Sequence, residues 1–310
     1  MTPQRALVTG CAGFVGPVVA QQLLDRGYEV TGLDNYSRGT ALAIGGAIAS
    51  GLRFVEGDVR SARDVAAAFA GRPDIVIHLA ARHFIPECEA DPAGTYDINV
   101  VGTERVWQAA IANGVQRFVF ASTGDVYTPS MTPHTEADAT EPFNAYGLSK
   151  RTSELSLLLG SRATGAPQLI LARLFNVYGP GDRNEHLVPA ILNQVAAGVR
   201  QLRLGNLWPV RDYIYVDDAA EGFVRLATGA TESLIVNVGT GGGWTVEELI
   251  RQIGDAMQVP LDVVSVPELR RAIERDSLRP DISRLFALTG WRPTRALADG
   301  LRAFVPVVNA

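Results

Sequence analysis

The sequence predicts an α/β fold, a doubly wound parallel sheet carrying a smaller C-terminal substrate lobe. Three observations predict it. Short apolar runs recur between longer segments whose apolar residues fall at helical spacing, the alternation from which parallel sheets are built. The runs are apolar throughout, as strands covered on both faces are. The chain of 310 residues is 47% hydrophobic and 20% charged, which supplies a sizeable core and excludes a disordered chain.

The first strand is expected over 5–9, ending in a glycine turn. Residues 14–26 follow as a helix, with Val15, Val18, Val19, Leu23 and Leu24 at helical spacing. Further strands are expected over 28–33, 52–56, 74–79, 117–121 and 168–173, with a polar, Gly-rich loop after the second. Helices are expected over 62–70, 91–113 and 145–164. Beyond Asn176 the elements shorten and Pro, Trp and Arg become more frequent. Helices are expected there over 186–198, 218–228, 246–258 and 297–305, with one more strand over 234–238. The chain thus divides into a cofactor-binding domain over 1–176 and a lobe over 177–310. The lobe is expected to close over the carboxyl edge of the sheet, where open α/β sheets bind ligands.

Composition narrows the function. A net charge of −5 without a basic run argues against a nucleic-acid partner. No apolar stretch reaches the roughly 18 residues that span a bilayer, and the N-terminus lacks the design of a secretory signal. Two cysteines, Cys11 and Cys88, are too few for a disulfide framework or a structural zinc site. The expectation is a cytoplasmic protein without a metal or a membrane partner.

Gly10-Cys-Ala-Gly13-Phe14-Val15-Gly16 lies between the first strand and the first helix. Glycines here let the backbone approach a pyrophosphate, and the helix N-terminus adds partial positive charge. Asp34 ends the second strand. An acidic side chain there accepts hydrogen bonds from a ribose 2′-hydroxyl and repels a 2′-phosphate, so NAD is favoured over NADP. Arg38 lies close enough in sequence to blunt that argument. Asp58 and Val59 follow the third strand and reach toward an adenine, although an N-cap before residue 62 reads the same way for Asp58.

The 28 basic residues comprise 27 Arg and a single Lys, Lys150. It stands four residues after Tyr146 on an expected helix, so the two share a face. An ammonium beside a phenol favours the phenolate and draws its pKa from about 10 toward neutrality. A Tyr so tuned moves protons to and from an alcohol.

At this point the chain resembles the extended short-chain dehydrogenase/reductase superfamily, and within it the NAD-dependent epimerase/dehydratase family acting on nucleotide sugars. The resemblance spans nearly the whole length. Besides the glycines, it rests on Asp34-Asn35, Asp58-Val59, His78-Leu79-Ala80-Ala81, Asn99, Ala121-Ser122-Thr123-Gly-Asp125-Val-Tyr127, Pro133-x-x-Glu136, Tyr146-x-x-x-Lys150, Arg173-x-x-Asn176-x-Tyr-Gly-Pro180, Arg211-Asp-Tyr-Ile-Tyr-Val-Asp217, Asn237-Val-Gly-Thr240 and Arg279-Pro-x-Asp281. It implies a Rossmann-type domain with NAD held by Gly10, Gly13, Phe14, Val15, Gly16, Asp34, Asn35, Arg38, Asp58, Val59, Leu79, Ala80, Ala81, Asn99, Ala121, Ser122, Tyr146 and Lys150. By the same resemblance Tyr146 is the base, Lys150 holds the nicotinamide ribose and the Tyr, and Thr123 bonds the sugar 4-hydroxyl. Asn176, Arg211 and Arg279 would meet the diphosphate, and Leu187 and Val188 the base. A surface ion pair reads the same way for each Arg, and an apolar helix start for Val188. His83 follows the fourth strand and reads as a sugar contact or an exposed loop residue.

The family implies a nucleotide-diphosphate sugar substrate and a 4-keto intermediate. Position 124 is Gly where one subgroup of dehydratases places Asp, and position 125 is Asp where dehydratases and decarboxylases place Glu. A 4-epimerase is therefore expected, with a 4,6-dehydratase or sugar-acid decarboxylase as the alternative, in which Asp125 would be the extra acid or base. A 4-keto-sugar reductase and a non-catalytic NAD-binding protein stand behind both. The run Leu155, Leu157, Leu158, Leu159 suggests a homodimer through the two long helices.

Overall fold

The computed structural model describes residues 3–184, 186–230, 232–270 and 274–305. Its central sheet holds β1 (Arg5–Thr9), β2 (Glu29–Asp34), β3 (Arg53–Glu56), β4 (Ile75–His78), β5 (Arg117–Thr123), β6 (Gln168–Leu174) and a seventh strand, Leu234–Val238. The strands are parallel, in the order seventh, β6, β5, β4, β1, β2, β3. β1 pairs on both sides, Val8 opposite Gly32 and Ile77.

Successive strand residues face opposite ways, so the apolar runs divide into two cores. Val8, Ile77, Val119 and Ile170 face α1 (Gly16–Asp25), α9 (Val216–Gly229) and α11 (Ser283–Thr289), in a core with Val19, Phe223 and Leu285. Leu7, Val76, Phe118 and Leu169 face α3 (Ala62–Phe69), α6 (Thr103–Ala112) and α7 (Ala145–Gly160), in a core with Val65, Trp107 and Leu157. Each large apolar side chain buried this way contributes roughly 1.5–3 kcal/mol. A third core, with Ile191, Leu202, Leu249, Ile253 and Leu301, holds α8 (Leu187–Ala196), α10 (Val246–Met257), α12 (Leu297–Arg302) and short strands. Thr245 and Glu248 close a capping box on α10, which satisfies two backbone donors at once.

The structure differs from the sequence expectations in four places. The loop after β2 contains α2 (Ala41–Ala49), capped by the Thr40 hydroxyl on the Ala43 amide at 3.3 Å. Its apolar residues surround it and Gly45 and Gly46 sit within it, so no helical stripe shows. A short helix, α4 (Ile85–Ala90), follows β4. The long helix expected over 91–113 is α5 (Pro92–Tyr96), a π-helical turn (Asp97–Gly102) and α6. Finally, α9 and the seventh strand lie beyond residue 176 but complete the central sheet layer.

Candidate active site

The carboxyl ends of the central strands open into a cleft of about 830 Å³, walled on its far side by α8 and the loops of the third core. The loop after β1 forms its floor. Gly10 has φ +71°, and a Cβ there would stand 2.7 Å from the Ala80 amide nitrogen. A Cβ at Gly16 would overlap the Gly10 carbonyl. Only glycine permits this approach of α1 to the turn, and the result is a cradle of backbone with the helix N-terminus aimed into it.

Asp34 stands beside the cradle. Its Oδ2 accepts the Ala12 amide at 2.9 Å and its Oδ1 the Tyr36 amide at 2.7 Å. Burial pushes its carboxyl up, and these bonds oppose the rise. Each oxygen keeps a lone pair, so the group suits a ribose diol. Arg38 is ion-paired with Glu87 of α4, which removes the competing charge that the sequence raised. Asn35 donates to Asp58 Oδ2 at 2.8 Å, and Arg60 on the same carboxylate holds Asp58 down to about 2. Asp58 does not cap the next helix; Ser61 does. Gly13, Phe14, Val15, Val59, Leu79, Ala80, Ala81, Ala121 and Ser122 also line the cleft.

Asn99 does not line it. The side chain is fully buried, accepts the Arg82 amide at 2.8 Å, and donates to the Arg82 carbonyl and the Ser149 hydroxyl, both at 2.9 Å. It fixes the loop after β4 rather than facing a cofactor.

Tyr146 and Lys150 rise from the first turns of α7, whose N-terminus is capped by Asn144 Oδ1 on the Gly147 amide at 2.7 Å. Lys150 is buried. Its Nζ donates to the Ala121 carbonyl at 2.7 Å and lies 4.7 Å from the Phe120 ring centre. Burial pushes it down to about 7, and the neighbouring Cys88 and Glu154 oppose that fall. The Tyr146 hydroxyl is pushed up, first by burial and then by Asp125, while a hydrogen bond with Thr123 opposes both. The expected lowering of Tyr146 by Lys150 is thus absent, because the ammonium is committed to the Ala121 carbonyl and burial dominates. Thr123 Oγ1 accepts the Asp125 amide at 3.1 Å.

His83, Asn176, Leu187, Val188 and Arg211 line the opposite wall. Arg211 donates to the carbonyls of Val210 and Arg275, at 2.9 and 3.0 Å, and pairs with Glu274. His83 is no free loop residue: its ring lies 5.7 Å from that of His186, and burial pushes it down to about 4. His186 Nδ1 lies 3.0 Å from Asp182 Oδ2. Arg279 is not in the cleft. It donates to the Ser277 hydroxyl at 3.1 Å and the Met131 carbonyl at 2.9 Å, tying two loops together. Sequence reasoning missed His186, Glu274 and Arg275. His186 precedes a helix start without a motif of its own, and Arg275 is one of five arginines between 270 and 284.

Comparison with known proteins decides the family. A profile of the NAD dependent epimerase/dehydratase family matches residues 6–239. The chain belongs to the NAD dependent epimerase/dehydratase family. Membership of the NAD dependent epimerase/dehydratase family makes it an NAD-dependent enzyme, and the glycine cradle, Asp34 and Lys150 fit that cofactor. Within the family, the UDP-glucose 4-epimerase of Streptomyces lividans is 35% identical over 94% of this chain and 92% of its own. The UDP-glucose 4-epimerase of Thermus thermophilus, solved with NAD, is 30% identical with a TM-score of 0.87, covering 99% of each chain. The dTDP-glucose 4,6-dehydratase of Streptomyces venezuelae is 30% identical with a TM-score of 0.90, covering 98% of this chain and 96% of its own. The fold therefore accommodates both reactions, and the site must choose between them. Among the described residues, no helix is long and apolar enough to cross a membrane.

Proposed function

We propose that the protein is a nucleotide-sugar 4-epimerase, with UDP-glucose and UDP-galactose as its substrate pair. The observation that carries this reading is the surroundings of Thr123 and Tyr146. Position 124 is Gly, and a Cβ there would stand 2.9 Å from the buried Phe175 ring, so an acid at this position would have to displace that ring. Asp125 faces the buried Arg275 at 3.7 Å and is one methylene shorter than the Glu that dehydratases place there. A dehydratase needs such a group to remove a C5 proton and release the 6-hydroxyl; an epimerase does not.

In this reading Gly10, Gly13 and Gly16 would hold the NAD pyrophosphate, Asp34 its adenosine ribose and Lys150 its nicotinamide ribose. When bound, NAD supplies reversible oxidation at sugar C4. Tyr146 takes the proton from the 4-hydroxyl and returns it to the same oxygen, and Thr123 holds that oxygen by a hydrogen bond. A general base of this kind is worth about 10²–10⁴-fold. Asn176 and Arg211 take the diphosphate, for which the guanidinium fork is suited, and Leu187 and Val188 take the base. His83 and His186 flank the sugar.

We further propose a homodimer. Leu148, Leu155 and Leu159 are 46%, 53% and 68% exposed along one face of α7, and Val101 of the adjoining π-helical turn is 41% exposed. That apolar face fits a second copy of itself. The two cysteines are buried and free, which suits a reducing, cytoplasmic compartment.

The test is incubation with UDP-galactose and its dTDP, GDP and CDP counterparts, with products read by NMR. Interconversion of the UDP-hexoses alone is expected, and Tyr146→Phe should lose at least about 10²-fold. A 4-keto-6-deoxy product would overturn the epimerase reading.

A further inference from the structure

Arg275 comes from the C-terminal part of the chain, yet its side chain is 2% exposed and lies under the turn that follows β5. Nη1 donates to the Tyr127 carbonyl at 2.7 Å and Nη2 to the Asp125 carbonyl at 2.8 Å. The guanidinium lies 4.5 Å from the Phe143 ring centre. Its Nε makes no hydrogen bond and stands 3.7 Å from Asp125 Oδ1. The other carboxylate oxygen, Oδ2, is 3.5 Å from the Thr123 hydroxyl. Asp125 is thus shared between a buried cation and a residue of the proposed proton-transfer site.

A buried cation without a counter-charge is strongly destabilising. Two anions lie near Arg275, Asp125 and Glu274, and Glu274 is paired with Arg211. The four groups therefore form two matched pairs, Arg211 with Glu274 at the diphosphate wall and Arg275 with Asp125 at the proposed proton-transfer site.

We propose that Arg275 is a positioning residue: by neutralising Asp125 and pinning the 124–127 turn, it keeps an unpaired carboxylate from facing Tyr146 and leaves Thr123 free for the substrate oxygen. This rests on the reading of Tyr146 as the proton-transfer group. The groups that act on Tyr146 are Thr123 at the end of β5, Asp125 from the turn after it and Cys88 from α4, while Lys150 lies one turn further along the same helix with its ammonium on the Ala121 carbonyl, and Glu89 accepts the Ala145 amide at 2.7 Å. Around Arg275 stand Glu274, Arg211 and His134. Of these, Asp125 is the carboxylate whose charge opposes the Tyr146 phenolate, and Arg275 is the cation that balances it.

The experiment is the pH dependence of kcat/KM for UDP-galactose, whose ascending limb reports the essential base of the free enzyme. Arg275→Met should move that limb upward by about one pH unit, or roughly tenfold in rate at a fixed pH below it. Asp125→Asn should move it downward. The double variant should return within about 0.3 unit of the wild type, since it removes both members of one charge pair. Arg275→Lys, which keeps the charge, should stay near the wild type. If Arg275→Met does not fold, Asp125→Asn and Arg275→Lys still decide: an unmoved limb in Asp125→Asn overturns the proposal. Wild-type turnover with an unmoved limb in Arg275→Met overturns the role of Arg275 alone. A wild type with no turnover on any nucleotide hexose overturns the epimerase reading, and the role of Arg275 with it.

Discussion

Lys150 is the residue whose chemistry depends most on being buried. Every other basic side chain is an arginine, which stays charged wherever it is placed. Burial lowers Lys150 from 10.5 to about 7. Between those values the unfolded chain holds a proton at this site that the folded chain has released. Unfolding free energy then rises with pH across that window, and the burial penalty is fully present below about 7. The NAD-free protein should therefore gain stability between pH 7 and pH 9, and Lys150→Met should lose that gain. Urea midpoints of both proteins at the two pH values check it, and parallel changes would reject it. The same titration leaves Lys150 able to exist as either amine or ammonium near neutral pH. That suits a group proposed to sit beside both a ribose and a proton-transferring phenol.

Helix α7 carries two faces with different tasks. Ser149, Ser153, Glu154 and Leu157 are buried against the sheet layer, and Glu154 pairs with Arg173 at 2.8 Å. Leu148, Leu155 and Leu159 point outward. In the run 155–159 the apolar pattern thus serves both faces, with Leu157 fully buried and Leu158 partly so. If the outward face joins two copies, Leu155→Glu with Leu159→Glu should give a monomer by light scattering at micromolar concentration, with the secondary structure intact. A wild-type monomer would reject the dimer. The elements legible in the sequence were those with a clear pattern: the seven strands of the central sheet as apolar runs, and α1, α3, α7, α8, α9, α10 and α12. Those missed lacked one. In α2 apolar residues lie all round the axis, and the residues of its buried contact, Ile44 and Ala47, are indistinguishable from their neighbours. The two-residue strands, such as Val210–Arg211 beside Ser277–Leu278, exist only through tertiary pairing. The candidate site divides the same way. Glycine turns, Asp34 and the Tyr146–Lys150 spacing are local patterns and could be read. The Arg275–Asp125 contact joins residues 150 apart and leaves no local mark.

At the scale of the whole molecule, the cleft is built by both halves of the chain, and so is the sheet behind it. The seventh strand pairs with β6 from Leu234 opposite Ile170 to Val238 opposite Leu174. Helix α9 buries Phe223, Val224, Leu226 and Ala227 in the core shared with α1, and Arg117 of β5 donates to the Ala227 carbonyl. A cut at residue 176 would leave β6 as an open apolar edge, the configuration that invites aggregation. It would also uncover the face of the sheet that α9 covers. The fragment 1–176 should therefore fail to fold on its own, giving far-UV ellipticity without near-UV structure, or an insoluble product. The intact chain with NAD should instead unfold in one transition, coincident in near- and far-UV circular dichroism, as interdependent lobes do. Two separable transitions, or a fragment with a cooperative transition of its own, would show that the halves are independent domains. The distinction bears on function. If the lobes fold as one unit, the spacing between the glycine cradle and Arg211, proposed to meet the diphosphate, is fixed by the shared core. In the proposed reading, Tyr146 and the sugar oxygen are then brought into register by the fold itself, and substrate binding has less of that alignment left to supply.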